Sequence, residues 1–201
     1  MFVRAPEAGR VKTRLAAEIG PEAALRVYRR LAERAVAEAQ ALGPDVSVRV
    51  HFTPADAGDA VRSWLGEGPA YLPQARTPDL GERMRAAFAE AFAAGFRRVV
   101  IIGSDLPELT AGLLRRAFDL LETHAAVLGP ARDGGYWLLG LREMIGAAFA
   151  DVPWSTDRVL ARTLEILRET GIEPALLETL GDVDRAADLP AGWVDWAREG
   201  G

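Results

Sequence analysis

Short runs of β-branched and aliphatic residues alternate with longer Ala/Leu/Arg stretches along this chain. That alternation predicts an α/β architecture, a mostly parallel central sheet flanked by crossover helices. Phe2-Val3 reads as the stub of a first strand. Residues 21–42 predict a helix, because Leu25, Tyr28, Leu31, Ala32, Ala35 and Val36 recur at helical spacing and Gly43-Pro44 stops them. Residues 46–52 alternate as a strand, 56–65 suggest a short helix, and 70–72 a short strand. Residues 81–94 carry Met84, Phe88, Ala91 and Phe92 on one helical face. Arg97-Arg98-Val99-Val100-Ile101-Ile102 is the strongest strand, apolar enough to be central. A helix capped near Thr110, a strand over 125–128, a strand over 136–141 and a helix over 155–170 follow. A late strand over 174–180 and a terminal helical piece close the pattern. No repeat and no linker interrupts it, so the expectation is one domain over residues 1–201.

Composition removes several function classes. Hydrophobic residues make up 49% of the chain and charged residues 26%, which excludes a disordered or low-complexity polypeptide. No apolar run approaches the roughly 18 residues a membrane helix needs, and Met1-Phe2-Val3-Arg4 leads into a polar turn rather than a leader's apolar stretch. The expected location is the cytoplasm. Zero cysteines exclude thiolate catalysis and Cys-ligated metals, and only His51 and His124 are available as imidazoles. His51 ends a strand pattern and is expected in packing.

A net charge of −5 argues against a broad nucleic-acid grip. Its distribution is more telling. Arg4, Arg10, Lys12 and Arg14 fall in one short segment around Gly9, and Lys12 is the chain's sole lysine. A compact ammonium on a flexible stem is chemically distinct from the guanidinium used everywhere else.

Ligands of open parallel sheets bind beyond the carboxyl ends of the strands, so the loops there carry the candidate chemistry. Residues 5–14 offer turn formers and cations suited to phosphates, or simply a solvated basic turn. Ser104-Asp105-Leu106-Pro107 ends the strongest strand, where a carboxylate suits Mg²⁺ or Mn²⁺, or a helix cap. Asp133-Gly134-Gly135-Tyr136-Trp137 suits a sugar or acceptor, or a hairpin turn, since Asp-Gly is a strong hairpin signal. Asp182 and Asp184 add carboxylates near the end. Trp193 and Trp196 read as core or lid residues.

These loops, in this order, form a pattern. Ala5-Pro6-Glu7-Ala8-Gly9-Arg10-Val11-Lys12-Thr13-Arg14-Leu15 is followed by Gln74 and Leu80-Gly81-Glu82-Arg83-Met84. Gly103-Ser104-Asp105-Leu106-Pro107, Gly129-Pro130-Ala131-Arg132-Asp133-Gly134-Gly135-Tyr136-Trp137, Pro153-Trp154-Ser155-Thr156 and Asp182-Val183-Asp184 complete it. From residue 2 to about 189 the chain resembles the DUF2064 family, glycosyltransferase-like proteins found beside radical-SAM/selenodomain and arsenosugar biosynthesis genes. That family is similar to the phospholactate guanylyltransferases.

The resemblance implies a GT-A-like nucleotide-diphospho-sugar transferase fold. It implies that Gly9, Arg10, Lys12 and Arg14 line nucleotide phosphates, with Gln74, Gly81 and Ser104 on the nucleotide side. Asp105 matches the metal carboxylate and Asp184 the second one, although the related Asp-Thr-Pro-Glu-Asp-Leu motif here reads Asp184-Arg185-Ala186-Ala187-Asp188-Leu189. Asp133, Gly134, Gly135, Tyr136, Trp154, Ser155 and Thr156 fall on the sugar or acceptor side. The leading expectation is a Mg²⁺- or Mn²⁺-dependent transferase taking a nucleotide-sugar and a small-molecule acceptor, with Asp133 and Lys12 in catalytic roles. A nucleotidyltransferase joining an NTP to a phosphorylated small molecule, and a non-catalytic nucleotide sensor, are the alternatives.

Overall fold

The computed structural model describes residues 1–200. In chain order the elements are β1 (Phe2–Arg4), α1 (Thr13–Ile19), α2 (Pro21–Gln40), β2 (Arg49–Thr53), α3 (Gly58–Leu65) and β3 (Ala70–Pro73). Next come α4 (Leu80–Ala93), β4 (Val99–Ile102), α5 (Ala111–Leu120), β5 (Ala126–Pro130) and β6 (Tyr136–Leu141). The last are α6 (Val159–Glu169), β7 (Ala175–Leu176) and α7 (Trp193–Glu199), with short 3₁₀ turns at Gly146–Phe149 and Ala186–Asp188. The chain divides into two compact units, one made of Met1–Pro73, Ser104–Ala111 and Gly181–Gly201, the other of Gln74–Gly103 and Gly112–Leu180.

The first unit holds a parallel sheet in the order β1-β2-β3, with Val3 opposite Phe52 and Val50 opposite Tyr71. Parallel neighbours need crossover connections, supplied here by α1 with α2 and by α3. Helix α2 starts at Pro21, whose fixed φ suits a first helical position, and buries Ala24, Val27, Tyr28, Leu31 and Ala35 along one stripe. Leu15 and Ile19 of α1 join Val27, Leu31, Val183 and Ala197 in one apolar cluster. Gly20, at φ 91°, makes the corner between the two helices. Trp193 and Trp196 pack half-buried on the same cluster, and the Arg30 guanidinium lies 4.5 and 4.3 Å from their ring centres.

The second unit holds a four-stranded sheet in the order β4-β6-β5-β7. The expected α/β layering is present in both units. Strand β6 is the exception to the parallel rule, running antiparallel to β4 and β5, while β5 and β7 are parallel. Helix α4 begins where the Asp79 carboxylate accepts the Glu82 N–H at 2.7 Å and buries Met84, Ala87, Phe88 and Ala91.

Several predicted boundaries move. The helix expected over 155–170 starts only at Val159: Ser155 sits at φ 64°, outside the right-handed helical region, and Thr156 Oγ1 donates to Pro153 O and accepts the Arg158 N–H, which holds these residues in a turn. The strand expected over 174–180 shrinks to two residues plus a bridge between Ala131 and Leu180, since the Glu178 carbonyl turns to accept the Trp137 indole N–H at 3.1 Å. The strand expected over 46–52 is Arg49–Thr53.

Candidate functional site

The 5–14 segment leaves β1 under tight control. The Tyr28 hydroxyl accepts the Arg4 N–H at 2.8 Å and donates to the Arg4 carbonyl at 2.9 Å. Burial pushes the Tyr28 phenol above its ordinary value and the nearby Asp105 charge adds to the rise, while its bond to Arg4 works the other way. The phenol therefore keeps its proton and the bond. Beyond it, Ala5 N–H donates to Thr53 O at 2.8 Å, and Gly9 makes its turn at φ 74° with open space around it. Arg10 is exposed and pairs with Glu7 at 3.1 Å.

Lys12 is the residue before α1 and adopts φ 46°, ψ 49°. A side-chain-bearing residue in this left-handed region costs roughly 1–2 kcal/mol, and glycine or asparagine is the usual occupant. The conformation turns the ammonium inward, where the side chain is only 7% exposed. Its Nζ donates to Asp105 Oδ2 at 2.5 Å and to the Val183 carbonyl at 2.5 Å, and lies 3.7 Å from Asp184 Oδ1. Arg14 Nη1 takes the other Asp184 oxygen at 2.7 Å, and Ser104 Oγ donates to Asp105 Oδ1 at 2.6 Å.

Packing explains why these groups converge. The Val183 side chain is fully buried in the α1–α2 cluster, and its N–H donates to Asp105 O at 3.1 Å, which ties residues 104–105 to residues 183–184. Asp188 Oδ2 accepts the Asp184 and Arg185 N–H groups at 3.0 and 2.7 Å. Glu18 of α1 accepts the Ala186 N–H and pairs with Arg185, and those bonds hold its carboxyl below the usual range. The turn thus keeps its shape without a Thr-Pro pair. Of the sequence-predicted residues, Lys12, Arg14, Ser104, Asp105 and Asp184 share one cluster. The Val183 carbonyl is the participant the sequence could not flag, since a backbone oxygen leaves no mark in residue identity.

The remaining candidates lie in the second unit. Gln74 accepts from Arg83 Nη1 at 3.0 Å. Residues 131–135 form a hairpin turn between β5 and β6, in which Asp133 Oδ1 accepts the Gly135 N–H at 2.9 Å. The glycines admit the protein's own chain. A Cβ on Gly134, at φ 88°, would overlap the Asp157 backbone, and one on Gly81 would overlap the Trp154 indole. Tyr136 meets Trp154 edge-on at 6.4 Å, and burial pushes its phenol up, partly offset by the Thr163 hydroxyl. Thr156 Oγ1 donates to Pro153 O at 2.7 Å, shaping the turn that contains Ser155.

Among the described residues no group of three or more His, Asp or Glu side chains converges as metal ligands. Two carboxylates do meet at Lys12. That number suits Mg²⁺ or Mn²⁺ when substrate phosphates complete the shell, because such ions are commonly held through one or two carboxylates.

A structure from Desulfovibrio desulfuricans G20, described as a candidate nucleotide-diphospho-sugar transferase, is 34% identical to this chain, with a TM-score of 0.86 over 92% of this chain and 80% of that one. The 4-diphosphocytidyl-2C-methyl-D-erythritol synthase of Anaerococcus prevotii DSM 20548 shares the fold at 12% identity and TM-score 0.59, over 98% and 93%. So does the glucosyl-3-phosphoglycerate synthase of Mycobacterium tuberculosis, solved with Mn²⁺, UDP and glucosyl-3-phosphoglycerate, at 15% identity and TM-score 0.54, over 85% and 73%. No helix among the described residues is long and apolar enough to cross a membrane. Residues 35–156 match the family described as "Uncharacterized protein conserved in bacteria (DUF2064)". This chain, with the fold of the nucleotide-diphospho-sugar transferases, belongs to the DUF2064 family.

Proposed function

We propose that this protein is a metal-dependent transferase that takes a nucleotide-sugar donor and passes the sugar to a small-molecule acceptor. The observation that carries the reading is the chain's sole lysine, held inward in a left-handed conformation against Asp105 and Asp184. Strain of that kind persists where the surrounding structure enforces it, and functional sites are where it concentrates. In this reading Lys12 and Arg14 turn to the donor's diphosphate, with Arg10 and the open Gly9 turn beside them in sequence. Asp105 and Asp184 hold the divalent ion, and Ser104 fixes the Asp105 carboxylate through its 2.6 Å bond. When bound, the ion offsets negative charge growing on the departing diphosphate. Lys12 adds the same stabilisation from the protein side.

In the second unit the reading assigns sugar and acceptor contacts to residues 133–136 and 154–156. Asp133 is the proposed base for the acceptor hydroxyl, since Gly135 holds its Oδ1 and so orients the carboxylate, while among the described residues no hydrogen bond is made to its Oδ2. The acceptor oxygen gains the sugar carbon, its proton passes to Asp133, and the nucleoside diphosphate leaves.

Nucleotidyl transfer is the second reading. It is favoured by four cations, Arg4, Arg10, Lys12 and Arg14, within eleven consecutive residues, enough charge for a triphosphate. Product analysis separates the two. Slow nucleoside diphosphate release from a nucleotide-sugar with Mn²⁺, accelerated by an acceptor, supports sugar transfer. Pyrophosphate release from an NTP in the presence of a phosphorylated metabolite, with no turnover of any nucleotide-sugar, refutes it. Binding of nucleotide with neither release identifies a sensor.

A further inference from the structure

Lys12 Nζ has three oxygens around it, from the Asp105 carboxylate, the Val183 carbonyl and the Asp184 carboxylate. Carboxylate and carbonyl oxygens are also what a hard cation selects. The ammonium therefore stands where the proposed metal would find its ligands. Charge in the cluster is already balanced, because Lys12 and Arg14 answer Asp105 and Asp184 one for one. A divalent ion approaching this arrangement meets two positive side chains already paired with the two carboxylates.

We infer that Lys12 is an internal counter-ion that keeps the metal out until a diphosphate draws it away, making metal and nucleotide bind in mutual dependence. The inference rests on the transferase reading above. A diphosphate offers Lys12 and Arg14 new anionic partners, and a four-carbon stem lets the ammonium change partners without moving its backbone. Departure of Lys12 exposes Asp105 Oδ2, the Val183 carbonyl and Asp184 Oδ1 to the ion. The ion in turn prevents Lys12 from returning and so holds it on the phosphates. Such coupling is reciprocal: nucleotide tightens metal by the same factor that metal tightens nucleotide. The ligand-free protein meanwhile keeps two closely placed carboxylates neutralised.

The test measures Mn²⁺ binding to the protein by the loss of the free-ion EPR signal, with ADP, CDP, GDP and UDP each supplied in separate titrations and the signal that each diphosphate removes without protein subtracted. Wild-type protein should bind Mn²⁺ alone weakly and at least about tenfold more tightly with the diphosphate it accepts. Lys12→Gly removes the ammonium and accepts φ 46° without strain. It should bind Mn²⁺ alone at least about tenfold more tightly than wild type, and lose the coupling to nucleotide. Lys12→Arg keeps a cation against the carboxylates and should bind Mn²⁺ alone as weakly as wild type does. Equal Mn²⁺ affinity in wild type and Lys12→Gly, or wild-type affinity that nucleotide does not change, overturns the inference while leaving the transferase reading standing. No nucleotide-dependent Mn²⁺ binding in any protein, with no nucleotide bound either, overturns both. If Lys12→Gly does not fold, Lys12→Asn, a residue type that also tolerates the left-handed region, takes its place with the same expected and refuting results.

Discussion

Gly134→Ala isolates how much of the 131–136 turn is fixed by contact and how much by backbone conformation. Gly134 sits at φ 88° and its carbonyl accepts the Leu160 N–H at 2.9 Å, so the turn is pinned to the start of α6. A methyl there meets two separate penalties. The left-handed conformation costs a side chain roughly 1–2 kcal/mol. Overlap with the Asp157 backbone adds roughly 1–3 kcal/mol, because backbone cannot rotate away as a flexible side chain would. The total is about 3 kcal/mol. Gly171, at the other end of α6, is the internal control: φ is 78°, but nothing lies within 4 Å of its would-be Cβ. Gly171→Ala should cost only the conformational part, about 1–2 kcal/mol. Thermal unfolding followed by circular dichroism should show Gly134→Ala melting roughly 10 °C below wild type and Gly171→Ala roughly 4 °C below, at about 2–4 °C per kcal/mol for this chain length. Equal losses in the two variants would refute the contact argument.

Lowering the pH should expose a second constraint. His51 is buried against Phe2 and its pKa falls to about 4, first through burial and then through the N-terminal amine, whose own pKa burial lowers to about 5, and Arg49. The unfolded chain takes up this proton near pH 6.5 and the folded one only near 4, so on the order of 3 kcal/mol of stability should drain away across that window. Urea titrations of wild type and His51→Phe between pH 7 and 4 should diverge by that amount; parallel curves would disprove it. Arg30→Met keeps the side-chain stem but removes the charge facing Trp193 and Trp196, and should cost roughly 1–2 kcal/mol. A double-mutant cycle with Trp196→Ala that shows simple additivity would contradict it. Lys12→Ala should weaken binding of a nucleoside diphosphate far more than that of the nucleoside, read by calorimetry; equal losses would mark Lys12 as purely structural.

Elements with a strong internal rhythm were legible in the sequence. Val99-Val100-Ile101-Ile102 announces a strand by itself, although β4 stands at one end of its sheet with only Ile102 buried and is not the central strand its composition suggests, and α2 displays its stripe over twenty residues. Helix α1 is harder to see: its seven residues bury only Leu15 and Ile19. The antiparallel course of β6 is likewise hidden, because an apolar run reads the same in either direction. Lys12, Asp105 and Asp184 each stood out as residue types at loop positions, yet the ion pair joining Lys12 to a carboxylate 93 residues away is a product of tertiary packing around Val183. Nor does anything local announce the left-handed Lys12, since the usual sign of that conformation is glycine. In the 133–136 turn the glycines suggested room for a ligand, whereas at Gly134 the space is taken by the Asp157 backbone.

The central claim, that Lys12, Asp105 and Asp184 receive a metal and a nucleotide diphosphate together, is tested most directly by thermal shift of wild type and Asp105→Asn against a panel of nucleotide-sugars with and without Mn²⁺. The account predicts that at least one nucleotide-sugar, at about 100 times its Kd, adds about 2.7 kcal/mol to wild-type stability, read as a rise of roughly 5–10 °C in Tm. It predicts that this rise requires Mn²⁺ and disappears in Asp105→Asn. No rise with any nucleotide-sugar, or an equal metal-dependent rise in Asp105→Asn, would contradict it.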